Sequence, residues 1–286
     1  MILKDGSLFM KKVIALAMAA LMLVMAIAFV GCDKKDNDKE ADATNAPAQE
    51  SDLDYIKKKG KLTIGVTDFK PMDYQDANGN WIGFDADYAK AFCAYIGVDA
   101  DIVAIEWDNK ETELAGKSID CVWNGMTLTD GVKEAMETSV AYCDNAQVVV
   151  LKKDIADKYT TPESILTLKF AVENGSAGDE LITAAGAKDI TRVTAQSDAL
   201  LEVKSGTAEA CVIDLLMANA MTGEGTDYAD LTYTVRLNSE QYGVGFRKGS
   251  DLAAKLNEFF KVSYADGTAQ KLAETYKVGT ALIEQK

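Results

Sequence analysis

Strand and helix signals alternate along residues 53–286, and the alternation runs through twice. Lys61–Val66 (KLTIGV) reads as a strand, and Asp85–Ile96 follows with Ala86, Tyr88, Ala89, Phe92, Cys93 and Ile96 at helical spacing. Asp101–Ile105 reads as a second strand, Lys110–Ala115 as a short helix and Ile119–Trp123 as a third strand. The order then restarts: strand 169–172, helix 178–185, strand 190–193, helix 197–205, strand 210–213. Parallel strands need long crossovers, usually helical, so this order predicts two doubly wound α/β lobes. Gln147–Leu151 and Gln241–Phe246 fall outside both units and are expected to cross between them. Lobe one is then 51–147 and 240–286, ending in helices over 251–265 and 268–276, and lobe two is 148–239. Open parallel sheets bind ligands beyond the carboxyl ends of their strands. The turns to watch are therefore Thr67–Tyr74, Asn124–Val132, Glu173–Gly178 and Asp214–Met217, facing each other across a central cleft.

The N-terminus carries an address. Met10-Lys11-Lys12 precedes an unbroken apolar run of 18 residues, Val13–Val30, and then Gly31-Cys32. A basic start before a short apolar stretch is the layout of a secretory signal peptide. Phe29-Val30-Gly31-Cys32 resembles a bacterial lipobox, with Phe29 in place of the usual leucine; residues 1–31 are read as the signal and Cys32 as the lipidated residue. Residues 32–50 are charged, rich in Ala and Asn, and lack apolar periodicity, so they read as a disordered tether. Cys93, Cys121, Cys143 and Cys211 form no CxxC pair; buried free thiols are expected, and a disulfide outside the cytoplasm stays open.

The charge balance and one missing residue type narrow the function. The formal charge is −15, and residues 32–286, with 27 basic and 44 acidic side chains, carry −17. Such a surface repels phosphate backbones, so no nucleic acid partner is expected. There is no histidine, which removes the commonest general base and metal ligand. No metal and no cofactor are expected. No phosphate-binding GxxxxGK[ST] loop occurs in the chain.

Five segments in order resemble a known family: GVTDFKPMDYQDANGNWIGFDADYAKAFC (65–93), IEWDNKETELAGKSIDCVWNGMTLTD (105–130), FAVENGSAGDE (170–180), AEACVIDLLMANA (208–220) and YGVGFRKGSDL (242–252). They are similar to the polar amino acid-binding proteins of ABC transporters, the family 3 extracellular solute-binding proteins, with the type II periplasmic binding protein fold. The resemblance implies that Phe69 and Trp107 sandwich the ligand's side chain. It implies that the Gly125 backbone, the Thr127 hydroxyl and the backbone of Ser176 and Ala177 hold an α-carboxylate, with Asn124 in the same turn. Asp214 matches the acid that receives the α-ammonium, and Asp68 or its neighbour Thr67 matches the reader of the side chain. Trp123 is expected in the core, and Glu173 and Asp130 as solvated carboxylates.

One departure changes the expectation. The family pattern T-x-T-x-x-R places a carboxylate-gripping arginine where this chain has Val132. Lys133 is next to it, but a neighbour on a helix points about 100° away. The chain is accordingly read as a non-enzymatic, monomeric, lipid-anchored binding protein on the outer face of the cell membrane. Its partners are ABC permease subunits and a small amine-bearing ligand, an amino acid or a related cationic amine taken up by cleft closure. An enzyme on the same fold, of the cyclohexadienyl dehydratase kind, is the alternative.

Overall fold

The computed structural model describes residues 51–286, so the export signal, Cys32 and the tether lie outside the described residues. Among the described residues no helix is long and apolar enough to cross a membrane.

Helix α1 (Asp52–Lys59), capped by Ser51, leads into β1 (Lys61–Val66), which is buried from Leu62 onward. A strand covered on both faces reads as a continuous apolar run, and this one is the middle of a parallel set. The short β2 (Tyr74–Gln75) and β3 (Trp81–Ile82) form a hairpin, whose Asp76 accepts the N–H groups of Asn78 and Asn80. Helix α2 (Phe84–Ile96) crosses to β4 (Asp99–Ala104), and α3 (Lys110–Ala115) to β5 (Cys121–Thr127). The first sheet has the order β4-β1-β5-β13-β6, where β6 is Glu137–Thr138 and β13 is Glu240–Phe246; β7 (Cys143–Asn145) pairs with β13. β1 is parallel to β4 and β5, whereas β13 is antiparallel to β5.

The second sheet repeats the scheme with β8 (Gln147–Lys152), β9 (Lys169–Glu173), β10 (Asp189–Val193), β11 (Ala210–Asp214) and β12 (Leu231–Arg236), in the order β10-β9-β11-β8-β12. Its parallel core is β10-β9-β11; β8 runs antiparallel to β11 on one side and to β12 on the other. Gln147–Leu151 and Gln241–Phe246, expected to cross between the units, are instead strands within the sheets, and the chain passes from one sheet to the other just before each of them. β7 pairs with β13 in the first sheet, and two residues later β8 pairs with β11 in the second. The return passes from β12 to β13, where the Leu237 N–H donates to the Gln147 carbonyl and Asn238 Oδ1 accepts the Gln147 N–H at 2.7 Å.

Several elements differ from expectation, among them the short strands β2, β3, β6 and β7, which no apolar run announces. β5 runs four residues past Trp123, because Met126 and Thr127 pair with Gly243 and Tyr242 of β13 across a register shift. The edge strand β12 (LTYTVR) shows no two-residue alternation of burial: it buries Leu231 and Val235 on either side of the exposed Tyr233, and its register against β8 shifts between Tyr233 and Val235. Aromatic packing holds the first sheet to its helices: Trp123 is fully buried among Tyr88, Phe92, Tyr142 and Phe260. Cys93, Cys121, Cys143 and Cys211 are all free and buried.

Candidate functional site

The carboxyl ends of β5, β9 and β11 open on one cavity of about 300 Å³. Its lining holds Trp107, Asn124, Gly125, Thr127, Ser176, Ala177 and Asp214, which the sequence placed at the site, and also Lys110, Val132, Gln147, Glu173 and Gln196.

The β5 turn is built from inside. Asp85, in the first turn of α2, is fully buried; its Oδ2 accepts the Gly125 N–H at 2.6 Å and the Tyr142 hydroxyl at 2.7 Å. Burial pushes its carboxyl up to about 7, against the pull of those two donors. Asp73 beside it is raised well above the carboxylate range, by burial and then by Asp85, and accepts Asn124 Nδ2 at 2.8 Å. Asn124 Oδ1 in turn accepts the Thr67 N–H at 3.0 Å and hydroxyl at 2.9 Å. Gly125 has φ +54, and a Cβ there would stand 2.5 Å from Phe69 Cε1. Only glycine meets both conditions at once.

That contact explains Phe69. Its ring is 1% exposed, packed against Gly125 and edge-on to Tyr242 at 6.3 Å. It is outside the cavity lining, as is the exposed Asp68. Of the expected aromatic pair only Trp107 reaches the cavity. Thr67, rather than Asp68, is the buried polar residue of its loop. The Gly125 N–H, expected to meet a carboxylate, is already given to Asp85. The Thr127 hydroxyl donates to Glu240 Oε1 at 3.0 Å.

On the facing side, Ser176 caps helix α4 (Ala177–Ala185), its Oγ accepting the Asp179 N–H. Its own N–H donates to the Glu173 carbonyl. Asp214 ends β11, 3% exposed. Its Oδ1 accepts Asn145 Nδ2, Gln147 Nε2 at 3.0 Å and the Tyr242 hydroxyl at 2.5 Å, and its Oδ2 accepts Gln196 Nε2. Burial and then the charge of Glu240 push its carboxyl up to about 7, although the Tyr242, Gln196 and Gln147 donors favour the anion. Glu240 Oε1 shares the Asn145 and Gln147 donors at 2.7 and 2.8 Å.

Glu173 overturns the expectation of a solvated carboxylate. It is 2% exposed, and its Oε1 has no hydrogen-bond partner among the described residues. Burial and then Asp214 push it up to about 8; Thr67, Lys110 and Gln196 are close enough to favour the anion but do not reverse that. Asp130 is exposed and outside the lining, as expected. Val132 lines the cavity at 8% exposure. Lys133 is exposed and borders a different hollow, with Asp144 and Gln241.

Sequence reasoning missed Lys110, 9% exposed, which lines the cavity with its Nζ 4.9 Å from the centre of the Trp107 ring. The available signal was spacing, since residues three apart on a helix share a face. Missed too were Asn145, Gln147, Gln196 and Tyr242, the donors around Asp214, which carry no local motif.

Comparison with known proteins identifies the family and the fold. A family model, described as bacterial extracellular solute-binding proteins, family 3, matches residues 62–279. The L-cystine-binding protein TcyJ of Escherichia coli (strain K12) is 25% identical over 268 residues, 93% of this chain and 97% of that protein. A mutant of the protein ArgBP from T. maritima superposes with a TM-score of 0.74 at 33% identity, over 79% of this chain and 99% of that one. The ancestral amino acid-binding protein AncCDT-1, described as a precursor of cyclohexadienyl dehydratase, gives 0.72 at 32% identity over 79% and 99% of the two chains. These are type II periplasmic binding proteins, and the two-sheet architecture here is theirs. Since the family match spans well over half of the 286 residues, the chain belongs to the bacterial extracellular solute-binding proteins of family 3.

Proposed function

We propose that the chain is the extracytoplasmic binding protein of an ABC importer and captures a small amine-bearing molecule, an amino acid or related cationic amine. Asp214 is the observation that carries this reading. A carboxylate offers about four acceptor positions. Oδ1 already takes three donors while Oδ2 takes one, so Oδ2 has room for another at the cavity wall. A ligand ammonium supplies both that donor and the positive charge that Glu240 and burial withhold. The names of relatives, which include cystine-binding and arginine-binding proteins, support a ligand of this kind. Asn124, Gly125, Thr127, Ser176, Ala177 and Trp107 form the rest of the proposed site. Asp68 and Phe69 act from outside the lining, through loop position and packing.

Lobe one is taken as 51–147 and 240–286 and lobe two as 148–239, hinged on the two crossings. Closure buries the ligand, and the closed monomer docks on permease subunits. Lipidation at Cys32 holds the protein at the outer face of the membrane after removal of residues 1–31, with 32–50 as tether; Cys32→Ser is expected to release it or leave it unprocessed.

The experiment is a thermal-shift screen of the full chain with amino acids, polyamines and quaternary amines. A ligand that binds only the folded state raises the melting temperature. No shift from any amine-bearing compound refutes the reading. Catalysis on the same fold is favoured by one observation, the buried acid Glu173 held protonated to about pH 8 near Lys110. Product from prephenate or arogenate would establish it. The curated relatives are named as binding proteins, and binding is the better account.

A further inference from the structure

In the family pattern a guanidinium at position 132 neutralises the ligand's carboxylate, and here that position is an apolar wall. Val132 packs with Trp107, Leu114 and Met126. Lys133 is no substitute, because it faces solvent beside another hollow. Among the described residues that line the cavity, Lys110 is the single cation.

Lys110 is badly compensated where it stands. It makes no ion pair within 4.0 Å among the described residues. Its Nζ donates only at long range, to the Trp107 carbonyl at 3.3 Å and the Gly175 carbonyl at 3.4 Å. Burial lowers its pKa, against the pull of Glu111, Glu173, Asp108 and Glu180. The two carbonyls belong to opposite sides of the cavity, one after β4 and one after β9. The seam between them is tight: a Cβ on Gly175 would stand 2.6 Å from Asp108 Oδ1. A buried ammonium at such a seam attracts an anion, and closing the seam around that anion joins both walls to it. The same ammonium over Trp107 repels a second cation from that ring. An ammonium on the ligand is thereby directed to Asp214, and its negative group to Lys110.

We propose that Lys110 takes the place of the missing arginine, binding the carboxylate of a zwitterionic amino acid whose ammonium is held at Asp214. This rests on the binding reading above and narrows its ligand class, excluding amines that lack a carboxylate as the best ligands. Glu173, near both Lys110 and Asp214, carries its proton at neutral pH and leaves the Lys110 charge to the ligand.

The test is calorimetry on the full chain with matched pairs: histidine and histamine, arginine and agmatine, tyrosine and tyramine, leucine and isoamylamine. Wild-type protein is expected to bind the amino acid of at least one pair ~100-fold more tightly than its amine, the scale of a lost buried charge partner. Lys110→Met should remove most of that difference by weakening the amino acid alone, and Lys110→Arg should restore it. The ligand-free melting temperature of Lys110→Met should not fall, because an uncompensated charge is removed. Should Lys110→Met misfold, Lys110→Gln serves the same comparison. Undiminished amino acid binding in a folded Lys110 variant overturns the proposal, as does equal wild-type affinity for both members of every pair. Asp214→Asn separates the two readings: it should weaken both members of a pair, and if it weakens neither, Asp214 is misassigned whatever Lys110 does. Failure of every compound to bind wild-type protein overturns both.

Discussion

Asp214 and Val132 line the same cavity, both nearly buried, yet their surroundings have opposite character. Around Asp214 stand four neutral donors from three separate strands and a helix: Asn145, Gln147, Tyr242 and Gln196. Val132 has apolar neighbours, and the nearby polar groups are already engaged, Thr127 with Glu240 and the Gly125 N–H with Asp85. The difference shows what a charge demands of its surroundings. A buried carboxylate persists only where dipoles are fixed around it in advance, whereas a valine needs only space. The wall at 132 is therefore not a carboxylate site with one part missing. Among the described residues that line the cavity, the cation stands at Lys110.

The largest effect that would break this contrast is at the acid. Asp214→Ala is expected to weaken an amine-bearing ligand at least ~100-fold, in line with ~2–5 kcal/mol for truncating one partner of a buried charge pair. Unchanged affinity by calorimetry in a folded variant would mean that the four donors hold Asp214 for structural reasons alone.

A smaller effect sharpens the comparison at the other wall. Val132→Arg in wild-type protein adds a second cation to a cavity that already holds one, and a gain of no more than ~10-fold for amino acids is expected. In a Lys110→Met background the same change should recover a larger part of the lost affinity. Equal gains in the two backgrounds would mean that Lys110 and position 132 do not serve the same group.

The smallest effect is that of pH. Asp214 must ionise to receive an ammonium, and it is held at about 7 in the free protein. Affinity for an amine-bearing ligand should therefore fall by up to ~10-fold per pH unit below that value. The ligand-free protein should show the reverse trend in stability. Asp85 and Asp214 are raised to about 7 and Glu173 to about 8, so the folded chain holds protons that the unfolded chain has released. Stability thus falls as pH rises from the ordinary carboxylate range through those values. Melting temperatures that do not fall between about pH 5 and pH 8 would show that these carboxyls are solvated in the free protein, and would remove the pH argument for Asp214.

Much of this was legible beforehand. The twofold run of strands and helices places the turns after β5, β9 and β11, and those turns line the cavity. Asp214 closes β11 and Trp107 comes three residues after β4, and both strands are announced by their apolar residues. Phe69 was harder to place, since a turn beside a proline suggests exposure. Its burial depends on Gly125, far along the chain, lacking a side chain. The apolar run of β5 ends at Trp123 because Asn124 is polar, although the pairing with β13 continues past it.

The sequence by itself determined the alternation that makes two sheets with parallel cores, the acid that closes β11 and the absence of arginine at 132. Each of these is a matter of residue identity at a spacing. Only the tertiary structure decided that Glu173 is buried rather than solvated, that Asp68 lies outside the cavity, and that Lys110 faces into it. Those outcomes depend on desolvation and on charges from distant segments, as where Lys110 meets the Gly175 carbonyl across the seam. A charged residue's identity says that it can bind an ion of opposite sign. Whether it is left waiting for one depends on which partners the fold brings within reach.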